Sequence, residues 1–492
     1  MPETNENNIG TLKKSVEGGK WMLFDTVFQK IVSFISFIIL ARLLLPEDFG
    51  IIALLLVIPN FSDLITSPSF ESALIQTKND PVPYLNSIWT FSIIKSLIIF
   101  ILIFFSAPLI ASFFHIERAI WAIRLSGIFV VLPALANVAQ LFFFKDIDFK
   151  KIFIRDIVAS LSYATVAVGL SIFYHSFWPL FLGYVAQYSS ATAATYFLHK
   201  FRPRLSFKLS KLRDLFHYSK WIFGQNLVNK IIPMIENSLI GKIVGASGVG
   251  LYSRAKSLAT MPSAPLYNII TKVTFPAYSK LQDSYEKIKD GFLKSLDILF
   301  AFSVPFVVLL IEAGHRIILV LLGEKWIEMD ILLKILILAV TINALPILSG
   351  PIFNALGKPK IQFGIGVANI LVFTAALFLL IPLYATKGAA LAVLATSIIL
   401  VVLSLYKLIK ILKIKIIDII KIPFIPIVSS LILLIIGRFV IGQTEHISDI
   451  SFAILISFLG LLYAGLIIFS GLVLKSGPYK TLRLVWYEIF KK

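Results

Sequence analysis

Residues 87–113 read SIWTFSIIKSLIIFILIFFSAPLIASF, a run with a single charge, Lys95, and an interior proline, Pro108. A stretch of about 20 predominantly apolar residues is long enough to cross the hydrocarbon core of a bilayer as one helix. Outward from it, comparable stretches bounded by Gly, Pro or charge lie at 21–45, 50–75, 119–144, 152–174, 177–198, 218–242, 250–276, 291–313, 327–355, 361–384, 387–409, 422–441 and 447–474. The sequence therefore predicts an all-α polytopic membrane protein with about 14 transmembrane helices. Pro59, Pro68, Pro133, Pro262, Pro265, Pro346 and Pro351 fall inside spans, where a bent helix holds only if its neighbours satisfy the freed carbonyls.

Composition agrees: 58% of the 492 residues are hydrophobic and 15% charged, with a mean hydropathy of +0.88. The spans consume the chain and leave no length for a soluble catalytic or nucleotide-binding domain. No Walker A pattern occurs, so no self-contained ATP-driven pump is expected. The chain has 0 cysteines, which excludes disulfides, thiol catalysis and cysteine metal sites. His115, His175, His199, His217, His315 and His446 are dispersed at span ends without metal spacing, so no metal centre is expected. The loops are too short to hold an acceptor and catalytic carboxylates, which counts against a glycan polymerase or ligase; the expectation is a protein that is not an enzyme. Met1 to Gly19 is polar and lacks a cleavage pattern, so the first span reads as a retained signal anchor.

The net charge of +19 is spread between the apolar stretches and forms no solvated module for nucleic acid. Loops on the N-terminal side hold 31 Lys or Arg and the opposite loops 7, from Arg42 to Arg438. The positive-inside rule then puts both termini in the cytoplasm. The basic stretch Phe201 to Lys220, with Leu and Phe interleaved, reads as a surface segment lying against anionic membrane lipid.

The chain also repeats itself. At an offset of 200, Lys20-Trp21 matches Lys220-Trp221, Lys30-Ile31 matches Lys230-Ile231, and Gly50 matches Gly250; farther along, Leu132-Pro133 matches Leu345-Pro346. Corresponding loops fall on the same side, which is a parallel repeat of six helices about an axis along the membrane normal. The expected organisation is an N-terminal lobe at 1–199, a basic cytoplasmic linker at 200–217, a C-terminal lobe at 218–412, and two further helices with a cytoplasmic tail at 413–492. Two such lobes suit alternating access with a cavity between them.

Eight basic residues lie inside the spans: Lys30, Lys95, Arg124, Lys230, Arg254, Lys256, Lys272 and Lys334. An intramembrane cation costs about 2.5–3.5 kcal/mol on insertion scales, so such residues normally face a cavity or a partner. Lys30, Lys95 and Lys230 lie roughly 12–18 Å deep at 1.5 Å per residue, too far to snorkel easily. Arg254, Lys256 and Lys334 complete the candidate cationic set. Polar stripes accompany them: Asn226, Asn229, Lys230, Pro233 and Asn237 in the seventh span, and Asp25, Gln29, Ser33 and Ser36 in the first. Gln29, Asn226 and Asn229 are thus candidate substrate-binding residues. Asp25, Asp63 and Glu236 are candidates for coupling to H+ or Na+, or structural partners of buried lysines. No other cofactor is expected. An excess of cations over acids suits a polyanionic substrate such as a lipid diphosphate and disfavours a cationic drug.

Ile39-Leu-Ala-Arg-Leu-Leu-Leu-Pro-Glu-Asp-Phe-Gly50, Glu71-Ser-Ala-Leu-Ile-Gln76, Asp146-Ile-Asp-Phe-Lys-Lys151, Gly250-Leu-Tyr-Ser-Arg-Ala-Lys256 and Phe275-Pro-Ala-Tyr-Ser-Lys-Leu-Gln-Asp283 occur in that order over about half the chain. Together they resemble the polysaccharide-transporter, or Wzx-type, branch of the multidrug, oligosaccharidyl-lipid and polysaccharide flippase superfamily. Where such members carry Asp-Phe-Gly-Phe before the Ser-Ala-Leu-Ile-Gln run, this chain has Ser67-Pro-Ser-Phe-Glu71. The resemblance implies a 14-helix bacterial inner-membrane flippase. It would move undecaprenyl-diphosphate-linked oligosaccharide to the outer leaflet for O-antigen, capsule, exopolysaccharide or teichuronic-acid assembly. Lipid-linked oligosaccharide is then the principal partner, with a glycan polymerase and chain-length machinery as candidate protein partners. The alternatives are an exporter of another amphiphile, such as the peptidoglycan lipid precursor or a drug, and a membrane glycan polymerase or ligase.

Overall fold

The computed structural model describes residues 3–59, 81–206 and 230–442, with 460, 462, 463 and 465–467. Helices and short connections make up all of it. In chain order they are α1 (Glu3–Leu43), α2 (Pro46–Leu55), α3 (Val82–Phe114), α4 (Ile120–Ser126), α5 (Ile128–Ala134), α6 (Leu141–Lys145), α7 (Phe149–Ser171), α8 (Trp178–Leu198) and α9 (230–243). The chain continues through α10 (Ala246–Thr260), α11 (Ala264–Lys280), α12 (Tyr285–Leu321), α13 (Met329–Ile342), α14 (Ala344–Ala355), α15 (Pro359–Leu412), α16 (Ile416–Ile420) and α17 (Phe424–Gly442). Among the described residues seven helices are long and apolar enough to cross a bilayer, or eight when the bent segment Glu117–Lys145 counts as one span. The all-helical, polytopic class expected from the sequence is the class observed.

Lipid explains the exterior of these helices. Phe105, Leu109, Phe173 and Phe197 are 76%, 75%, 77% and 90% exposed. Side chains of that size are left uncovered in such numbers only when hydrocarbon covers them. At 54 residues α15 would measure about 81 Å, more than twice a hydrocarbon core. It breaks at Ala385, where φ is 50°, and at Gly388 a Cβ would sit 2.0 Å from the carbonyl oxygen of Leu380. The break coincides with the interval expected between the spans at 361–384 and 387–409.

The chain divides into two compact units, Met1–Leu251 and Tyr252–Lys492. In the first unit α1 packs on α7, with Trp21 5.2 Å from Phe153 and Gly18 set against Phe149. At Gly183 of α8 a Cβ would come within 2.8 Å of Ala167 on α7, so a small residue sets the spacing of that pair. The fourth predicted span bends by 61° at Leu135–Asn137, just beyond Pro133. Helix α8 satisfies the opened backbone: Thr192 Oγ1 donates to the Leu132 carbonyl at 2.8 Å and Tyr196 Oη to Leu135 at 2.7 Å. The second unit repeats the device, for Tyr267 Oη donates 2.8 Å to the Val340 carbonyl near the α13–α14 break. Its core gathers Tyr278, Phe292, Leu296, Leu345, Leu348 and Phe353. Helix α17 is tied to α12 by Arg438, whose Nε donates to Glu312 Oε2 at 3.1 Å.

Packing divides the chain after Leu251, later than the repeat does, because the start of α10 is locked onto α2. At Gly50 a Cβ would lie 1.7 Å from the Ala246 carbonyl oxygen, and at Gly250 one would lie 1.8 Å from that of Pro46. Two helix N-termini equivalent in the repeat thus cross with their backbones in contact.

Candidate functional site

The first-unit charges do not share one face. On α1, Gln29 Nε2 donates 2.8 Å to Asp25 Oδ1, and Arg155 and Asp156 of α7 act electrostatically on Asp25. Arg155 in turn donates to Gln140 Oε1 at 3.0 Å and to Asp156 Oδ1 at 2.7 Å. This is a compact polar cluster inside the lobe. Lys30, one position beyond Gln29, is exposed, as is Ser33, whereas Ser36 is buried. A step of 100° along a helix separates Gln29 from Lys30, so the stripe divides between helix contact and open surface. Lys95 on α3 and Lys230 on α9 are half-buried, and Glu236 is 2% exposed. Each of these three engages a neighbour. Asp63, Asn226 and Asn229 lie outside the described residues.

In the second unit Arg254 and Lys256 project from α10, both half-buried, with Lys256 Nζ 5.9 Å from the Tyr252 ring centre. Lys334 is neutralised within its own helix: Nζ donates 2.7 Å to Asp330 Oδ2. His315 Nδ1 lies 3.9 Å from the same carboxylate. Gly314 makes room for the pair, since a Cβ there would sit 3.1 Å from Asp330 Oδ1. Outside the candidate set, Arg124 lies over the rings of Trp121 and Phe104 at 4.7 and 5.3 Å, a cation–π seat.

Sequence reasoning overlooked the acids Asp156, Asp297, Glu312 and Asp330. The i,i+4 spacing of Asp330 and Lys334 was the available signal. Glu312 meets a basic residue 126 positions away, a pairing no local pattern announces.

The start of the basic stretch, residues 201–206, has its main chain anchored on the first unit, and the rest of it lies outside the described residues. Asn137 Nδ2 donates 2.7 Å to the Phe201 carbonyl, and Arg204 N–H donates 2.9 Å to Asn86 Oδ1. Ser206 N–H donates 2.9 Å to Thr90 Oγ1. Residues 201–206 form no helix, so their main-chain groups take partners from neighbouring helices. The Arg202 and Arg204 side chains remain exposed. At the root of the strap, the His199 ring stacks on Phe142 with centroids 5.6 Å apart, and its Nδ1 accepts from Phe201 N–H at 3.0 Å. Burial, then Lys151, pushes the His199 imidazole below its ordinary range, with Asp146 opposing and Arg202 adding to the shift.

Residues 39–330 match the family model described as polysaccharide biosynthesis protein. The chain belongs to the polysaccharide biosynthesis protein family. Among its relatives in this family, the teichuronic acid biosynthesis protein TuaB of Bacillus subtilis is 24% identical, over 71% of this chain and 73% of that protein. The lipopolysaccharide biosynthesis protein WzxC of Escherichia coli is 26% identical, over 74% of this chain and 75% of its own length. This places the family member in the Wzx-type branch of the flippase superfamily, as the motifs suggested. The lipid II flippase MurJ in an inward closed conformation has the same fold, with a TM-score of 0.69 at 16% identity over 92% of this chain and 99% of that one. An inward-facing multidrug MATE transporter follows at 0.58, also 16% identical, over 78% of this chain and 95% of its own.

Proposed function

We propose that this protein is a flippase for polyprenyl-diphosphate-linked oligosaccharide, carrying the glycan repeat unit across the bacterial inner membrane for surface polysaccharide assembly. The family match over residues 39–330 carries the reading. In support, TuaB and WzxC are named for teichuronic acid and lipopolysaccharide biosynthesis. The excess of intramembrane cations supplies what a diphosphate requires. In this reading Lys30, Lys95, Lys230, Arg254 and Lys256 serve the diphosphate, Gln29, Asn226 and Asn229 the sugars, and the polyprenyl tail stays in lipid. Lys334 enters only if the substrate displaces it from Asp330. Asp25, Asp63 and Glu236 are the acids through which H+ or Na+ would be coupled. The chain crosses the membrane fourteen times with both termini cytoplasmic, as the 31 to 7 distribution of basic residues argues. A glycan polymerase would take the flipped product.

The test is leaflet exchange of a fluorescent polyprenyl-diphosphate oligosaccharide in proteoliposomes, with and without proton and sodium gradients. Protein-dependent exchange is expected, outcompeted by unlabelled substrate but not by a cationic drug. Absence of exchange with this lipid, alongside transport of a drug or the peptidoglycan lipid precursor, would replace the substrate assignment.

A further inference from the structure

Of the cations placed inside the spans, Lys95, Lys230, Arg254 and Lys256 each engage a neighbour, and Lys334 is bonded to Asp330. Arg124 of α4 is held differently. Its guanidinium carbon lies 4.7 Å from the ring centre of Trp121 and 5.3 Å from that of Phe104 on α3. Its Nε is buried and has no hydrogen-bond partner among the described residues. Aromatic rings meet the flat face of a guanidinium and leave its edge unserved, because the five N–H donors lie in the plane of the fork and need acceptors. Arg118, nearer the start of the segment, takes the Glu47 carboxylate at 2.9 Å.

The two helices leave this guanidinium one outlet. At Gly127 a Cβ would lie 2.8 Å from the Phe100 Cα, so α3 and α4 touch there and close the space beneath Arg124. One turn along α3, Phe104 forms the floor of a notch and Trp121 of α4 its wall. The notch opens on the outer surface of the first unit, where Trp121 is 60% exposed and Leu102, Phe105 and Leu125 are exposed beside it. Hydrocarbon covers such a surface and offers no acceptor, so a guanidinium opening onto it is costly until a lipid oxygen meets it. From Glu117, where the segment begins, Arg124 lies about 10 Å along the helix axis at 1.5 Å per residue, a depth from which its long side chain reaches the headgroup layer.

We propose that the notch formed by Arg124, Trp121 and Phe104 binds the headgroup phosphate of an anionic membrane phospholipid of the phosphatidylglycerol type, seated between α3 and α4. The guanidinium fork matches two phosphate oxygens as a bidentate pair, and the Trp121 indole N–H is a further donor beside it. The acyl chains then lie along the exposed face that carries Phe105 and Leu125. An anionic headgroup is favoured over a zwitterionic one, because a choline or ethanolamine cation brought close to Arg124 cancels part of the attraction. By the topology proposed above this lipid belongs to the outer leaflet. The site does not depend on what the protein transports, and it uses none of the lysines assigned to the substrate.

Photolabelling tests this in the full-length protein. Vesicles of phosphatidylcholine holding the protein receive a trace of phosphatidylglycerol with a photoreactive group near its glycerol, and labelled peptides are mapped by mass spectrometry. Label is expected on the α3 and α4 segments around Phe104 and Trp121, displaced by unlabelled phosphatidylglycerol but not by inorganic phosphate in the buffer. A phosphatidylcholine carrying the same photoreactive group should label these segments several-fold less. Arg124→Leu should cut the label there about tenfold, as loss of a charge-assisted bidentate pair requires, and leave label elsewhere on the protein unchanged. Trp121→Leu, at an exposed position, should cut it about threefold. Unchanged label in Arg124→Leu protein overturns the proposal; should that variant not reach the membrane, unchanged label in Trp121→Leu protein does so. Displacement by inorganic phosphate would make this a site for a free anion, and equal labelling by phosphatidylcholine would make it bulk lipid contact; either result also overturns the proposal.

Discussion

Asn137, 0% exposed, is where the bent fourth span, α8 and the linker strap are joined, and replacing it with Ala tests whether that joint is as costly as its geometry demands. Its Oδ1 accepts the Ala139 N–H at 3.1 Å and its Nδ2 donates 2.7 Å to the Phe201 carbonyl. Its main-chain N–H donates 2.9 Å to Thr195 Oγ1 and survives the substitution. Ala139 is fully buried, so its N–H is left without water, at a cost of about 1–3 kcal/mol. Phe201 is half-buried and its carbonyl can be rehydrated, so that loss is about 0.5–1.5 kcal/mol. The sum is about 1.5–4.5 kcal/mol, a fall of about 3–18 °C in the apparent melting midpoint for a unit of this size. The assay is thermal unfolding of the purified protein in detergent, paired with trypsin cleavage after Arg204, the Arg202 bond being protected by Pro203. Asn137→Ala should melt earlier and, with the strap's main chain released, be cut faster after Arg204. Thr195→Val, which removes the acceptor for the Asn137 N–H but leaves the strap bonds, should melt earlier by about half as much without faster cleavage. A midpoint within about 1 °C of wild type and an unchanged cleavage rate would refute the reasoning.

The Asp330–Lys334 pair should behave as a unit: Lys334→Met or Asp330→Asn alone lowers the melting midpoint, and the double variant recovers most of it, with a coupling of about 1 kcal/mol in this partly exposed setting. Strictly additive effects would show that the two do not interact, and a stable double variant that no longer flips substrate would return Lys334 to the transport path. His199 sets a pH dependence. Its pKa is depressed in the fold by burial and then by Lys151, so its contribution is present above the ordinary histidine value of about 6.5 and is lost as pH falls below it and the ring protonates beside Lys151 and Arg202, with Asp146 opposing. Trypsin cleavage of the strap should accelerate on acidification, and His199→Gln should flatten that response; an identical pH profile in the variant would remove His199 from the account. Lys95→Gln and Lys230→Gln should leave membrane levels near normal and slow lipid exchange at least about tenfold. If both variants disappear from the membrane instead, these lysines hold the fold and not the substrate.

Much of this protein follows from composition, because hydrocarbon leaves a chain few choices. Twenty apolar residues in a row must be a helix there, so the stretches around Lys95 and from 361 to 409 could be assigned by inspection. The prolines announced bent spans, and the repeat announced that Gly50 and Gly250 are equivalents. What the sequence could not state is which way each helix is turned. Rotation about the helix axis sends Gln29 toward Asp25 and α7 while leaving Lys30, its neighbour in the chain, exposed. The same freedom decided that Tyr196 and Thr192 would serve the carbonyls freed near Pro133, that Arg438 would find Glu312, and that Phe201 would end on Asn137. Interior packing selects one rotation per helix from contacts between residues tens to hundreds of positions apart. The crossing of two glycines is the extreme case: a residue with no side chain carries no mark of its partner, and only the approach of the two backbones reveals why neither position has room for a Cβ.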